Sequence, residues 1–465
     1  MGADGKFDAI VVGAGPAGVS AAITMARGGL EVAIFEKGRY PGTKNLYGGI
    51  LFTPVLEKLV PDFVSEAPLE RHIIHRKFSL LSSDAELSLD FRTSRWNEPP
   101  HNHMFTAFRG SFDRWFAEVA ERDGAFLVTE TVVVEFLYQN GRIVGVRTDR
   151  PDGDLRADLV ILAEGANTLL AEAAGLKPKP RPEDFIVAVK ETMALPQEVI
   201  DDRFHLAGNE GAALEYFGEG VRGMLGSGFI YTCKQHLSLG IGYSIASGIR
   251  DRLRPHDVLV HFKQHPAIRP LIRGAETVEY GAHMIPEAGI RGVEAARIVA
   301  DGLMIVGDAA SLVNTNPLYH EGTNLAMQSG ILAGEVALQA HERGDFSETT
   351  LQEYERHMKE SWVWKDLEEY RHLTDFFTEN GRILREYPEI ILAAIHQIFK
   401  MDGSPKQDLE RKAVEQIGQI LDPEELARVV ETFKDQPLVD KLVAEFKERI
   451  GLLGGLRLGW RLLRG

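Results

Sequence analysis

The chain opens on a largely apolar run, Phe7–Val12, followed by glycines and then by the alanine-rich stretch Ala17–Ala26. A second apolar run, Glu31–Phe35, stops at Glu36. This order predicts a strand, a tight turn, a helix and a second strand. Phe112, Trp115, Phe116 and Val119 recur at three- and four-residue spacing and predict a helix over 109–122 whose aromatic face is core. Phe126–Val134 and Arg142–Thr148 read as strands, with Asn140-Gly141 between them as a hairpin signal. Leu159–Ala163 is an apolar strand that returns to the first sheet and ends at Glu164-Gly165.

His75–Ser83 and Ala85–Phe91 are strand-like and start a second domain. Partial alternation through Phe185–Pro286 predicts an antiparallel sheet able to roof a pocket. Leu303–Val306 is one more strand, and Gly322–Ala340 one more helix. From Thr349 to Phe446 the pattern is helical and heavily charged, with a loop at Met401–Gln407. No stretch offers the run of about 18 apolar residues that a membrane span requires.

The first turn carries chemistry. Gly13, Gly15 and Gly18 stand in G-x-G-x-x-G spacing between strand and helix, with Glu36 closing the second strand. In that setting one glycine allows the tight turn, the next lets backbone approach a pyrophosphate, and the third lets helix pack on sheet. The helix N-terminus, at Pro16 and Ala17, presents N–H groups to phosphate. Glu36, followed by Lys37, can accept from a ribose hydroxyl. A dinucleotide site is the reading; a ligand-free glycine turn is its alternative. The glycine-rich loop 38–49 leaves this strand, so Lys44 and Asn45 either face a flavin or sit in solvent. Arg109, at a helix start, points to a pocket or to water. Asp308, after Gly307, can accept from a ribityl hydroxyl, and amides at Gly322, Thr323 and Asn324 can stabilise negative charge on a reduced ring.

Composition narrows the choices. The 465 residues allow two or three domains, and the net charge of −16 argues against nucleic acid as a partner. Cys233 is the only cysteine, so this sequence alone forms neither an intrachain disulfide nor a four-cysteine cluster. It reads as a packed thiol. His205, His236, His261, His265 and His283 are scattered, and no metal site is expected. The tail 446–465 is basic and leucine-rich. Leu453, Leu456, Trp460 and Leu463 share a helical face, edged by Arg457, Arg461 and Arg464. That is the pattern of an interfacial helix meeting anionic lipid; docking on a partner or on its own body is the alternative.

Six motifs carry a family likeness: VVGAGPAG at 11–18, KNLYGG at 44–49, RGSFDRWFAEVA at 109–120, ILAEGANTLL at 161–170, GSGFIYTCKQHLSLG at 226–240 and GDAASLVNTNPLYHEGTNLAMQSG at 307–330. With them the chain resembles the FixC and electron-transfer-flavoprotein:quinone oxidoreductase family, within the geranylgeranyl-reductase-like flavoproteins. The resemblance implies an α/β fold with α+β parts: a Rossmann-like FAD-binding domain of glutathione-reductase type, an antiparallel-sheet second domain and a helical C-terminal region. The expected divisions are 1–74, 105–180 and 295–345 for the first, 75–104 and 181–294 for the second, and 346–465 for the third.

It also implies non-covalent FAD, with Gly13, Gly15 and Gly18 at the pyrophosphate and Glu36 at the adenosine ribose. Lys44, Asn45 and Gly49 would sit near the flavin, with Arg109 as the FAD-contacting arginine. Val133, Ala163 and Gly165 would line the adenine end, and Asp308 the ribityl phosphate. Tyr231, Tyr319 and His320 are candidates to line a quinone site or relay protons, against ordinary packed or loop roles. By likeness, electrons arrive from an electron-transfer flavoprotein with alpha and beta subunits and leave to ubiquinone or menaquinone. Larger relatives hold a four-cysteine cluster that this chain cannot supply, which implies a small ferredoxin-like, FixX-type partner carrying the iron–sulfur cluster. Some such complexes bifurcate electrons from NADH. The expected place is peripheral, on the cytoplasmic side of the cell membrane. The rival readings are an FAD-dependent prenyl-lipid reductase, a flavin monooxygenase and a non-catalytic flavin-containing assembly subunit.

Overall fold

The computed structural model describes residues 6–45, 48–98, 102–316 and 319–418. The basic tail, Leu46-Tyr47 of the glycine-rich loop and the side chain of Tyr319 lie outside the described residues. The chain divides into one unit over 1–389 and a second beginning at Ile390. The second contains the end of the Tyr387–Phe399 helix and the helix Lys406–Ile417, on either side of the loop expected there.

Phe7–Val12 is central to the first sheet, paired in parallel with Val32–Phe35 on one side and with Asp154–Leu162 on the other. Phe126–Val128 and Leu303–Ile305 extend it in parallel. Ala9, Ile10 and Val11 are wholly buried. A strand covered on both faces needs continuous apolar residues, which is why this run shows no alternation. Asp154–Leu162 serves two partners. Its first residues, Asp154–Arg156, pair antiparallel with Arg142–Thr148, and from Ala157 it joins the parallel sheet. The hairpin Val133–Gln139 to Arg142–Thr148 turns at Asn140 and Gly141, both with positive φ (52° and 83°), as a two-residue type I′ turn demands.

The helix Pro16–Arg27, with proline in its first turn, packs on Thr323–Arg343. Their approach is close because the contact is made of small residues. A Cβ on Gly330 would lie 2.1 Å from the Ala17 carbonyl oxygen, and one on Gly334 2.6 Å from Thr24 Cβ.

The second sheet has nine strands among the described residues. It is antiparallel except where Glu210–Gly218 runs parallel to Leu69–Leu81. Three of its strands, Gly48–Phe52, Leu69–Leu81 and Met104–Phe108, fall wholly or partly in segments that sequence pattern gave to the nucleotide-binding domain. Short apolar runs such as GGILF fit either sheet, and only pairing decides: Gly48 sits opposite Phe108, and Phe52 opposite Met104. Arg71 locks the middle of this sheet. It is fully buried and donates to the Cys233 carbonyl (2.8 Å), the Glu210 carbonyl (2.8 Å) and the Asp201 carboxylate (2.6 Å).

Candidate functional site

The three glycines of the first turn do different work. Gly13 has φ +106°, and a Cβ there would lie 2.3 Å from the Ala163 carbonyl oxygen. A Cβ on Gly18 would meet the Gly13 carbonyl oxygen at 2.1 Å. Around Gly15 nothing lies within 4 Å of the added carbon. Two glycines therefore permit the backbone to close on itself, and the third opens onto space. Glu36 ties the turn to the second strand: its carboxylate accepts from the Ala14 N–H (3.1 Å) and the Gly38 N–H (2.7 Å).

That space belongs to a cavity of about 740 Å³ lined from both sheets. Gly13, Gly15, Pro16, Ala17, Glu36 and Lys37 form one end, with Val133, Ala163 and Gly165 beside them. Lys44, Asn45, Arg109, Asp308, Gly322 and Thr323 also line it, as do Tyr231 and His320. Gly18 packs under the turn instead. Gly49 pairs with Ala107 in the second sheet, and the Gly307 N–H donates to Ser329 Oγ (3.0 Å). Asn324 is buried and hydrogen-bonds Glu321. Tyr231 is buried and stacks on Phe229, centroids 4.9 Å apart.

Charged side chains hold the wall in shape. Arg109 grips Asp113 through two hydrogen bonds (2.6 and 2.8 Å), and the Asp113 side chain is wholly buried. Asn45 donates to the same carboxylate (3.3 Å). Asp113 thus fixes both a helix-start arginine and a loop asparagine. Burial raises Asp308 above the ordinary carboxylate range, opposed by His283, Arg109 and Lys177. Lys177 donates to the Ala309 carbonyl (3.1 Å), and burial lowers its ammonium. Burial lowers Lys190 to about 8, and pushes Glu321 up to about 7. His320 is brought down to about 4 by burial and the Arg76 charge, so it is neutral at pH 7. Among the described residues no cluster fit to hold a metal ion occurs.

Asp113, Lys177, Lys190, His283 and Glu287 escaped sequence reasoning as site residues. For Asp113 a signal existed, since it follows Arg109 by one helical turn. Lys190, His283 and Glu287 come to the cavity from the second sheet or its connections, Lys177 stands behind it on the Ala309 carbonyl, and nothing in their neighbouring sequence says so.

Comparison with known proteins follows the same lines. A family described as pyridine nucleotide-disulphide oxidoreductase matches residues 7–198, and the ETF-QO/FixC family C-terminal domain matches 373–423. The chain is 42% identical over 412 residues to Protein FixC of Bradyrhizobium diazoefficiens, covering 88% of this chain and 94% of that one. It is 41% identical over 409 residues to Protein FixC of Azotobacter vinelandii, covering 88% and 93%. To the probable electron transfer flavoprotein-quinone oxidoreductase YdiS of Escherichia coli it is 38% identical, covering 88% and 94%. Among solved structures, a geranylgeranyl bacteriochlorophyll reductase-like protein from Thermoplasma acidophilum matches with TM-score 0.69 at 22% identity, over 92% of this chain and 99% of that one. The flavin-dependent brominase Bmp2 matches with TM-score 0.59 at 17% identity, over 89% and 99%. At these identities the structural likenesses show a shared fold. The length and strength of the sequence matches show more: the chain belongs to the ETF-QO/FixC family.

Proposed function

We propose that this chain is an FAD-dependent oxidoreductase that accepts electrons from an electron-transfer flavoprotein and passes them to a quinone. Family membership implies the FAD. The residues present fit it, because the one glycine of the turn that has open space above it, Gly15, faces into the cavity. In this reading the amides around Gly13, Gly15 and Ala17 hold the pyrophosphate, and Glu36 the ribose. Val133, Ala163 and Gly165 flank the adenine end. Arg109, braced by Asp113, stands beside Lys44 and Asn45 at the flavin. Asp308 takes the ribityl end, and the helix start at Gly322–Thr323 the ring. When bound, FAD would supply the redox chemistry, and the chain would orient it.

The observation that carries the proposal is the continuity of this cavity. Its wall also includes Ile186, Ile285, Ile290, Leu367, Leu373 and Phe377, an apolar lobe interrupted by Glu287, Arg291, Tyr370 and Arg371. A polar dinucleotide suits one end, and a neutral, greasy ring the other. Cys233 is the only cysteine and is fully buried, which supports a separate cluster-bearing, ferredoxin-like partner. No helix among the described residues is long and apolar enough to cross a membrane. Peripheral attachment at the cytoplasmic face, through the basic tail, is part of the proposal.

The test is direct. The FAD-loaded full chain is mixed with reduced electron-transfer flavoprotein and a short-tailed ubiquinone or menaquinone analogue, and quinol is measured. Rapid quinol formation is expected. Saturation of a geranylgeranyl lipid in its place, or no acceptor reduced at all, overturns the proposal.

A further inference from the structure

We propose that Glu287 is the acid that gives a proton to the quinone in the apolar lobe of the cavity, an inference that rests on the function proposed above. The residue follows the last strand of the second sheet, Glu276–Pro286, and its backbone is pinned there by an N–H donated to the Asp184 carbonyl (2.7 Å). Its side chain lines the cavity yet is only 6% exposed, and its Oε2 has no hydrogen-bond partner among the described residues. A buried polar atom without a partner is costly, and such atoms are few in folded proteins. Here the missing partner is supplied by whatever enters the lobe. Ile285 and Ile290 line the same stretch of wall, as does Arg291, so the carboxyl is one of the polar groups that an entering ring meets there.

Burial favours the protonated form of Glu287, and the charge facing it works against that. Arg291, close enough to oppose it, is already paired with Asp375 (2.8 Å). Asp184, on the connection packed beside it, is paired with Arg181 (2.8 Å) and also feels Arg291. Burial outweighs the Arg291 charge and raises the carboxyl to about 8, so it holds its proton at neutral pH. A neutral acid can donate to a carbonyl oxygen; a carboxylate cannot.

The step balances simply. The O–H bond of the Glu287 carboxyl breaks, and a new O–H bond forms on one quinone oxygen. The two electrons are those of the reduced flavin, whose ring N–H protons pass to solvent, and the second proton of the quinol is drawn from solvent. The carboxylate left behind faces Arg291 and recovers a proton from solvent through the open side of the cavity.

The experiment compares wild type, Glu287→Gln and Glu287→Asp as FAD-loaded full chains. Gln keeps the shape and cannot give up a proton; Asp keeps the acid. Reduction of a short-tailed ubiquinone should fall about 100-fold in Glu287→Gln, the lower end of general-acid effects, and recover in part in Glu287→Asp. Ferricyanide takes electrons without protons, so its reduction should be unchanged in both, which also certifies folding and flavin loading. Infrared titration should show a protonated-carboxyl band in wild type that disappears near pH 8 and is missing from Glu287→Gln. Equal quinone rates in wild type and Glu287→Gln, or an identical infrared titration, overturn the inference. Absence of quinone reduction by wild type itself refutes the proposed function, and is a different result.

Discussion

Replacement of Gly330 by alanine tests how the site is assembled. The added methyl carbon would stand 2.1 Å from the Ala17 carbonyl oxygen and 3.0 Å from the Ala21 nitrogen. Both obstacles are backbone of the helix Pro16–Arg27, so no side chain can turn aside. One helix must retreat by roughly 1 Å, and overpacking of this kind costs about 1–3 kcal/mol. Alanine returns up to about 1 kcal/mol of helix propensity. The net expectation is a loss of about 1 kcal/mol, and up to about 2 kcal/mol at the upper end of the overpacking cost. Gly110→Ala is the control, since its nearest neighbour would be the Gly42 carbonyl oxygen at 3.9 Å. That variant should be neutral, or up to about 1 kcal/mol more stable. Urea unfolding of the flavin-free chains measures the gap between the two. The helices also carry Ala17 and Thr323 on the cavity wall, so Gly330→Ala should release FAD several-fold more readily. Equal stability of the two variants, with equal flavin retention, would refute the close-approach argument.

Glu36→Ala strips the acceptor from two backbone N–H groups and should cost about 1–3 kcal/mol of FAD affinity, read by flavin fluorescence during dilution; unchanged affinity counts against its place in the turn. Asp113→Asn breaks a buried pair and should lower stability by about 3 kcal/mol, seen as a drop in thermal midpoint. Cys233, buried and pushed up to about 12, should resist iodoacetamide at pH 8 until the chain is unfolded; rapid labelling of the native protein would contradict its packing. Glu287→Gln should also change how stability depends on pH. The folded carboxyl at about 8 stands above its ordinary 4.5, so below 4.5 both states hold the proton. From 4.5 to about 8 the unfolded chain loses it first, and wild-type stability falls as pH rises, by at most roughly 5 kcal/mol. The variant lacks that slope, so denaturation midpoints should agree near pH 4 and favour the variant by pH 9.

The parts of the fold written in short stretches of sequence were legible before the structure. The glycine turn, its two strands and Glu36 lie within one crossover, and Asn140-Gly141 needs only its own φ values. The parallel pairing of Glu210–Gly218 with Leu69–Leu81 was not legible, because it joins segments far apart in sequence and alternation does not state direction. The chain also enters the second sheet at Gly48, where a five-residue apolar strand reads the same in either sheet. Arg71 and Glu287 were hidden for one reason: a charged residue in a sequence reads as exposed, and only tertiary packing buries it.

The same packing divides the cavity electrostatically, and that division favours the proposed pair of ligands. The wall that carries the glycine turn also carries Lys37, Lys44 and Arg109 together with Glu36 and Asp113, a charged lining suited to a diphosphate. Away from it, burial drives groups toward their neutral forms. His320 at about 4 is uncharged at pH 7, Glu321 at about 7 is half protonated, and Glu287 at about 8 is mostly protonated. A chain of net charge −16 thus presents little negative charge in this lobe. The arginines of this wall, Arg291 and Arg371, are already paired, with Asp375 and with Glu294 and Glu368. A neutral quinone gains apolar contact and a hydrogen-bond donor, and carrying away two electrons it must also carry two protons. Neutral acids at the wall are what that stoichiometry requires.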